Sequence, residues 1–275
     1  MGIISQNFGW RTTYFFAGLL VLVLNVPLIL FVLRDSPESM GLLPDGDKFE
    51  EIANLQNGKL LIQTSIEPTP AVRNTEQLSY LKKPSFWLMC ISFGIVNLGA
   101  TAVTTHEVSF ITDMKVSETI AALALGITLG IGAISALASG WLADKLISRY
   151  VTILFLFLTI AGMLILIQAD TISKIWLFVV IYGLGNGVFG TLLPIVTRDI
   201  FGPADFSAIF GFAVVFLLAG GAIGVPLAGF MFDATRSYHD IFVITTVIYA
   251  IAVLGIYFAF GANPKPLVRL SYSKK

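Results

Sequence analysis

The residues best suited to charge-based chemistry gather in one short stretch of this chain. Asp144, Lys145 and Arg149 lie in the segment GWLADKLISRY, between two long apolar runs, in a sequence of which only 12% is charged. Charged side chains are costly inside a bilayer. We therefore predict that this segment connects two spans at a membrane surface.

A histidine and a glutamate form the second candidate site. His106 and Glu107, in TTHEVSF, follow an apolar run. Histidine can hold or pass a proton near neutral pH, so one interpretation places His106 on the outer part of a substrate path. The alternative for both residues is a solvated helix terminus. One His-Glu pair is too little for a zinc site, and we predict no metal and no cofactor.

Polar, uncharged side chains inside the apolar runs form the third group. Asn97, Tyr182 and Asn186 each need a hydrogen-bond partner there, from another helix or from water in a cavity. Bonding between helices is the plain alternative. Because these side chains can also bind a polar solute, we predict that they line a substrate path together with His106. No ionisable residue lies near the middle of a run, so a proton-coupling carboxylate is not expected.

The elements that must position these residues are membrane-spanning helices. The 275 residues are 56% hydrophobic and their mean hydropathy is +0.85. A bilayer core needs roughly 20 apolar residues of helix, and seven stretches reach that length. We predict an all-α polytopic membrane protein with spans at about Thr12–Leu33, Phe86–Thr105, Thr119–Leu142, Val151–Ala169, Ile175–Thr197, Ser207–Phe232 and Ile241–Gly261.

The lysines and arginines indicate the orientation of these spans. Arg11, Lys115, Lys174 and Arg236 fall on one side, and the rest of the 17 basic residues fall on the other. The basic-rich side is cytoplasmic by the positive-inside rule. We expect the long polar segment, GWLADKLISRY and the C-terminus in the cytoplasm. Short loops and the lack of a targeting segment favour a bacterial inner membrane.

The spans divide the chain unevenly. We predict a first helix in 1–33, a cytoplasmic linker in 34–85, a six-helix bundle in 86–261 and a cytoplasmic tail in 262–275. A protein of six plus six helices that lacked its first five would have this arrangement. Small residues spaced four apart let helix backbones approach closely. Such pairs are Gly126/Gly130, Gly183/Gly187 and Gly220/Gly224.

The charged segment resembles a known family motif. Gly140, Leu142, Asp144, Lys145 and Arg149 match the Gly-x-Leu-x-Asp-Arg-x-Gly-Arg-Arg loop of major facilitator superfamily transporters, found between helices 2 and 3 and between helices 8 and 9. In that family the aspartate faces the N-terminus of a neighbouring helix, which the helix dipole favours, and the basic residues latch the cytoplasmic side. The resemblance implies that Gly140, Asp144, Lys145 and Arg149 form a cytoplasmic gating loop.

Other motifs narrow the resemblance to the monocarboxylate porter and oxalate/formate antiporter branch. They are FGWR, RDSPESMGLLPDG, KKPSFW, HEVSFITDMKVSETIAA, RDIFG and GFMFDATRSYHDIF. The register implies helices 6 to 12 and an N-terminal six-helix half as partner. One departure concerns the substrate. Many members bind a carboxylate with an arginine about one turn before the motif glycine, whereas residues 135–139 here read SALAS.

The function expected from this resemblance is secondary transport by alternating access. The solute would be an organic anion such as a monocarboxylate, coupled to protons or to a counter-solute. Two alternatives remain: a porter for a sugar, drug or siderophore-like solute, and a non-transporting protein, either receptor-like or an inactive truncated product. An enzyme is not expected, because no nucleophile-base pair or phosphate-binding loop is present. Zero net charge without a basic patch argues against nucleic acid.

Overall fold

Every element that the computed structural model describes is helical. The described residues are 2–31, 79–203 and 205–261, and the chain divides into two units, residues 1–72 and 73–275. In the first unit, α1 runs from Gly2 to Phe31, interrupted at Gly9, whose φ is 79°. Its apolar part, Gly18–Pro27, is shorter than a full span. The end of the first predicted span lies outside the described residues.

The second unit contains the other described helices. A 3-10 turn, Ser79–Lys82, precedes six helices that are long and apolar enough to cross a membrane. Their bounds are α2 Pro84–Asp113, α3 Glu118–Lys145, α4 Ser148–Ile167, α5 Ile172–Asn186 with α6 Phe189–Phe201 as one broken span, α7 Phe206–Thr235 and α8 His239–Gly261. The predicted all-α membrane fold is confirmed, and six of the seven predicted spans are found as such.

Local sequence explains where several of these helices begin and end. Pro84 occupies the first turn of α2, where its missing N–H costs nothing. The Ser117 side chain accepts a hydrogen bond from the N–H of Ile120 and so caps α3. Arg236 ends α7 in the left-handed conformation, with φ 54°. Connections this short place consecutive helices antiparallel to each other.

Two pairs of parallel helices meet backbone to backbone at glycines. In the first pair, α2 and α7, a Cβ at Gly220 would overlap the carbonyl oxygen of Gly94. In the second pair, α3 and α5, a Cβ at Gly187 would overlap the backbone of Gly132. The prediction from Gly183/Gly187 and Gly220/Gly224 is confirmed. The pair Gly126/Gly130 behaves otherwise, because nothing lies within 4 Å of either position.

The packing of the bundle repeats itself in inverted form. Helices α2, α3 and α4 correspond to α5–α6, α7 and α8, and the first span of each group packs on the second span of the other. The first span of each group also packs on the third span of the other. Because α2 and the α5–α6 span run in opposite directions, the two groups form an inverted repeat, an arrangement common in transporters.

The span that was predicted as one helix, Ile175–Thr197, is broken. Helix α5 ends at Asn186 and α6 begins at Phe189, so the break lies at GLGNG rather than at Pro194. The side chain of Ser135 donates a hydrogen bond to the carbonyl oxygen of Leu184 and satisfies part of the backbone beside the break. The corresponding helix α2 is continuous, so the break is a departure from the internal symmetry.

Candidate functional site

Asn97 joins two helices in this structure. Its side-chain nitrogen donates to the carbonyl oxygen of Leu217 in α7 at 2.8 Å. One turn further along α2, the Thr101 hydroxyl lies 3.1 Å from the carbonyl oxygen of Gly221. Both side chains are half-buried. The amide of Asn97 therefore bonds between helices, and a role in the substrate path stays a prediction.

Tyr182 lies in the core between α5 and α8. Its side chain is fully buried and its ring stacks on Phe178, with 5.0 Å between centroids. Its hydroxyl lies 3.3 Å from the hydroxyl of Tyr249, which is also buried. The structure thus brings Tyr182 together with Tyr249, a residue that the sequence analysis did not single out.

Asn186 is the last residue of α5 and lies at the break before α6. The residue is half-buried. Its Oδ1 atom is buried and has no hydrogen-bond partner among the described residues. An unsatisfied acceptor next to an interrupted helix is a suitable place for a polar solute or water to bind.

His106 and Glu107 lie inside a helix rather than at its end. The predicted span stopped at Thr105, whereas α2 continues to Asp113 because Val108, Phe110 and Ile111 extend its apolar face. The expectation of a solvated terminus is wrong for Glu107, which is 0% exposed. The apolar residues that follow it at helical spacing were the signal in the sequence.

The two residues face different neighbours. The Thr128 hydroxyl of α3 donates to Oε1 of Glu107 at 2.9 Å, and Oε2 is buried with no hydrogen-bond partner among the described residues. His106 is half-buried, and its ring centroid lies 5.7 Å from that of Tyr238. Glu107 also interacts electrostatically with Tyr182 of α5. A polar group therefore forms where α2, α3 and α5 meet.

The predicted gating segment is a tight turn between two helices. Helix α3 continues to Lys145 and α4 starts at Ser148. The Lys145 ammonium lies 3.7 Å from the Trp141 ring centroid. The Arg149 guanidinium lies 3.9 Å from the ring centroid of Tyr257 in α8. The cations thus rest on aromatic rings, an arrangement worth about 0.5–1 kcal/mol at exposed sites.

The remaining residues of this segment have simpler surroundings. Asp144 is exposed, and within the described part of the chain it forms no salt bridge. Gly140 is half-buried beside Thr191, whose methyl carbon would lie 3.7 Å from a Cβ at Gly140. The role of Asp144 in a gate stays a prediction.

Asp199, at the end of α6, is a candidate that sequence reasoning missed. Its carboxylate accepts a hydrogen bond from the hydroxyl of Ser148, the first residue of α4. A negative charge at a helix N-terminus interacts favourably with the helix dipole. Asp199 belongs to RDIFG, a motif that resembles the family but indicates no partner for this acid. No sequence spacing indicates that it meets α4.

A cavity of about 300 Å³ opens at the opposite end of the bundle. Its lining residues include Phe110, Asp113, Leu166, Arg236, Tyr238 and His239. Burial raises the pKa of the Tyr238 phenol, and a hydrogen bond with Ser109 acts in the other direction. Among the described residues, no group of three His, Cys, Asp or Glu side chains is placed to hold a metal ion.

Comparisons with known proteins agree on one family. The family model of the Major Facilitator Superfamily matches residues 1–203. Monocarboxylate transporter 12-B of Danio rerio is 23% identical over 248 residues, which are 87% of this chain and 52% of that protein. Monocarboxylate transporter 4 of Rattus norvegicus is 24% identical over 275 residues, covering 97% of this chain and 54% of that protein.

A solved structure shows the same fold. The major facilitator transporter FucP in its outward conformation matches with a TM-score of 0.60 and 17% identity, over 89% of this chain and 65% of that one. The chain spans about half the length of the curated relatives it matches. These relatives are transporters rather than enzymes, in agreement with the expectation from the sequence.

Proposed function

This chain belongs to the Major Facilitator Superfamily, and on that premise we propose that it is part of a secondary transporter that moves a small organic anion by alternating access. The observation that carries the proposal is the inverted repeat, in which α2–α4 and α5–α8 pack on each other in the same way. Rocking of such repeats around a central site is a known basis of alternating access. The names of the relatives favour a monocarboxylate.

The exposed faces of the bundle support a partner. Helices α3 and α7 are the least buried of the described spans. They are also the equivalent helices of the two repeats. We propose that these faces meet an N-terminal six-helix half and the solute path, with residues 86–261 as the C-terminal bundle, 34–85 as a linker and 262–275 as a tail. Helix α1, in residues 1–33, would be the last helix of that half.

The solute path and the gate are assigned by proximity and chemistry. Asn186 offers a free acceptor at the break, and we propose that it lines the solute path together with Asn97 and His106 of α2 and Tyr182 of α5. Asp144, with Lys145, Arg149 and Gly140, would form the gate on the basic-rich, cytoplasmic side. Placement in a bacterial inner membrane and coupling to protons or a counter-solute remain predictions.

A second candidate is a porter for another class of solute. Residues 135–139, where many family members have an arginine, contain no charge, and the hydroxyl of Ser135 bonds the carbonyl oxygen of Leu184. This observation favours a neutral solute, or an anion whose counter-charge lies in the other half. An inactive truncated product is the third outcome to test.

Counterflow assays test these alternatives. The longest reading frame that contains this chain is reconstituted in liposomes, and exchange of labelled lactate is compared with exchange of a labelled neutral sugar. Lactate exchange supports the organic-anion proposal, sugar exchange alone supports the second candidate, and no exchange of either solute contradicts both. Asp144→Asn should reduce exchange, whereas Asp170→Asn, which alters an exposed acid at the other end of the bundle, should not.

A further inference from the structure

Glu107 is a buried acid for which the fold provides an incomplete set of partners. One carboxyl oxygen accepts the hydroxyl of Thr128 at 2.9 Å, and the other is buried without a hydrogen bond among the described residues. The side chain is 0% exposed. A charge buried in a membrane needs compensation by a partner. No described cation forms a salt bridge with Glu107.

The groups around Glu107 come from both halves of the inverted repeat. Thr128 belongs to α3, in the first repeat. Tyr182 of α5, with which Glu107 interacts electrostatically, belongs to the second repeat. The Tyr182 hydroxyl shares a hydrogen bond with the hydroxyl of Tyr249 in α8, and either of the two can be the donor. A change in the charge of Glu107 thus acts on a hydrogen-bonded pair that can reorient. This links one ionisable group to the contact between the repeats.

Other titratable groups lie further away or at the surface. On α2 the neighbour is His106, whose ring faces Tyr238 of the α7–α8 connection. The remaining charged residues of the helices packed around α2 lie near helix ends. They include Glu118 of α3, Asp233 of α7 and Asp240 of α8, all exposed, Lys174 of α5, which is half-buried, and Arg198 and Asp199 of α6. Because Thr197 of α6 contacts Met89 near the start of α2, that last pair lies at the far end from Glu107.

We propose that Glu107 is the residue at which the transporter binds and releases a proton in each transport cycle, an inference that rests on the proposed function. A metal cation is a poor alternative, since Ca²⁺ takes about 6–8 oxygen ligands and Glu107 is one carboxyl beside hydroxyls. A proton needs only the free oxygen. When Glu107 is protonated, the residue no longer carries a buried charge, and that oxygen can donate a hydrogen bond as well as accept one.

Transport assays with matched variants test this inference. Glu107→Gln keeps the shape and the bond with Thr128 but cannot exchange a proton. Glu118→Gln alters an exposed acid of α3 near the same end and is the control. In liposomes, we expect wild type and the control to take up labelled lactate faster when an inward proton gradient is imposed. We expect Glu107→Gln to take up lactate only at the rate measured without the gradient, while lactate counterflow is kept. We expect Glu107→Asp to respond to the gradient again.

The outcomes separate this inference from the proposed function. If Glu107→Gln still responds to the gradient, or if wild type exchanges lactate without responding, the inference is wrong and the proposed function stands. If wild type exchanges neither lactate nor sugar, the proposed function fails. Infrared spectra of the purified protein then test the proton site at Glu107 without a transport assay. A protonated-carboxyl band that varies with pH and is lost only in Glu107→Gln supports a proton site, and its absence refutes one.

Discussion

The contact between α2 and α7 predicts that a single methyl group at Gly220 will loosen the bundle. In Gly220→Ala the new carbon overlaps the carbonyl oxygen of Gly94, and since that atom is backbone, the two helices must move apart. Overpacking of this kind costs about 1–3 kcal/mol. Separation also strains the bonds of Asn97 and Thr101 to α7, at about 0.6 kcal/mol each in membrane helices. The expected loss in unfolding free energy is about 3 kcal/mol.

The chain carries its own reporter for this measurement. Cys90 is the only cysteine in the sequence, and its side chain is 0% exposed in α2. A thiol-reactive fluorescent dye therefore reacts as the bundle unfolds in detergent. For a unit of this size, each kcal/mol shifts the melting temperature by about 2–4 °C. Gly220→Ala should lower it by on the order of 10 °C.

A second glycine of the same helix gives the control. A Cβ at Gly211 of α7 would have nothing within 4 Å of it, so Gly211→Ala should keep or raise the melting temperature through the better helix propensity of alanine. If Gly220→Ala and Gly211→Ala melt together, the close approach of α2 and α7 is refuted. The same result would contradict the close approach of α3 and α5, which is inferred in the same way.

Three further predictions concern the buried tyrosines, α6 and the surface ion pair. Tyr182→Phe and Tyr249→Phe should each destabilise the protein by about 1 kcal/mol, because each leaves a buried hydroxyl unpaired; the double variant should lose little more, and additive losses in dye-monitored melting would argue against the bond. Asp199→Asn should cost about 1 kcal/mol through the weaker interaction with the start of α4, and an unchanged melting temperature would contradict this role. The hydrogen bond from Lys174 lowers the pKa of Asp170, so the contribution of this acid is present above its ordinary pKa and is lost as the pH falls through the lowered value. An NMR titration should show that lowered midpoint, and Lys174→Ala should return it toward the ordinary value; a midpoint that does not move would show that the pair does not form.

The helices were predictable because their signal is local. Length and apolarity identify the six described spans, and the spacing of Gly220 and Gly224 identifies a surface of close packing. Which helix lies on that surface is not local information. The contact of Asp199 with the start of α4 depends on two segments about fifty positions apart meeting in space, so no sequence motif indicates it.

Glu107 lies where the sequence alone does not place it. A charged residue near the edge of an apolar run predicts the end of a helix, because burying a charge is costly. The helix continues because apolar residues return after Glu107 and pack on the core. A buried acid in a membrane helix therefore indicates a functional group, because membrane proteins retain such costly groups where they function.

The α3–α5 contact restricts chain length as well as residue type. Gly183 and Gly187 lie one turn apart and meet the backbone of α3 at Thr128 and Gly132, also one turn apart. A helix turns by about 100° per residue, so one inserted or deleted residue between either pair would rotate a side chain into the contact. The count of residues in either interval therefore cannot change. Between the two contact points of α3, Leu129 and Gly130 are exposed and can be replaced. Gly185 of α5 cannot, because a Cβ there would overlap the backbone of Thr159. Over evolutionary time both intervals should exclude insertions and deletions, and replacements should collect at the exposed positions of α3.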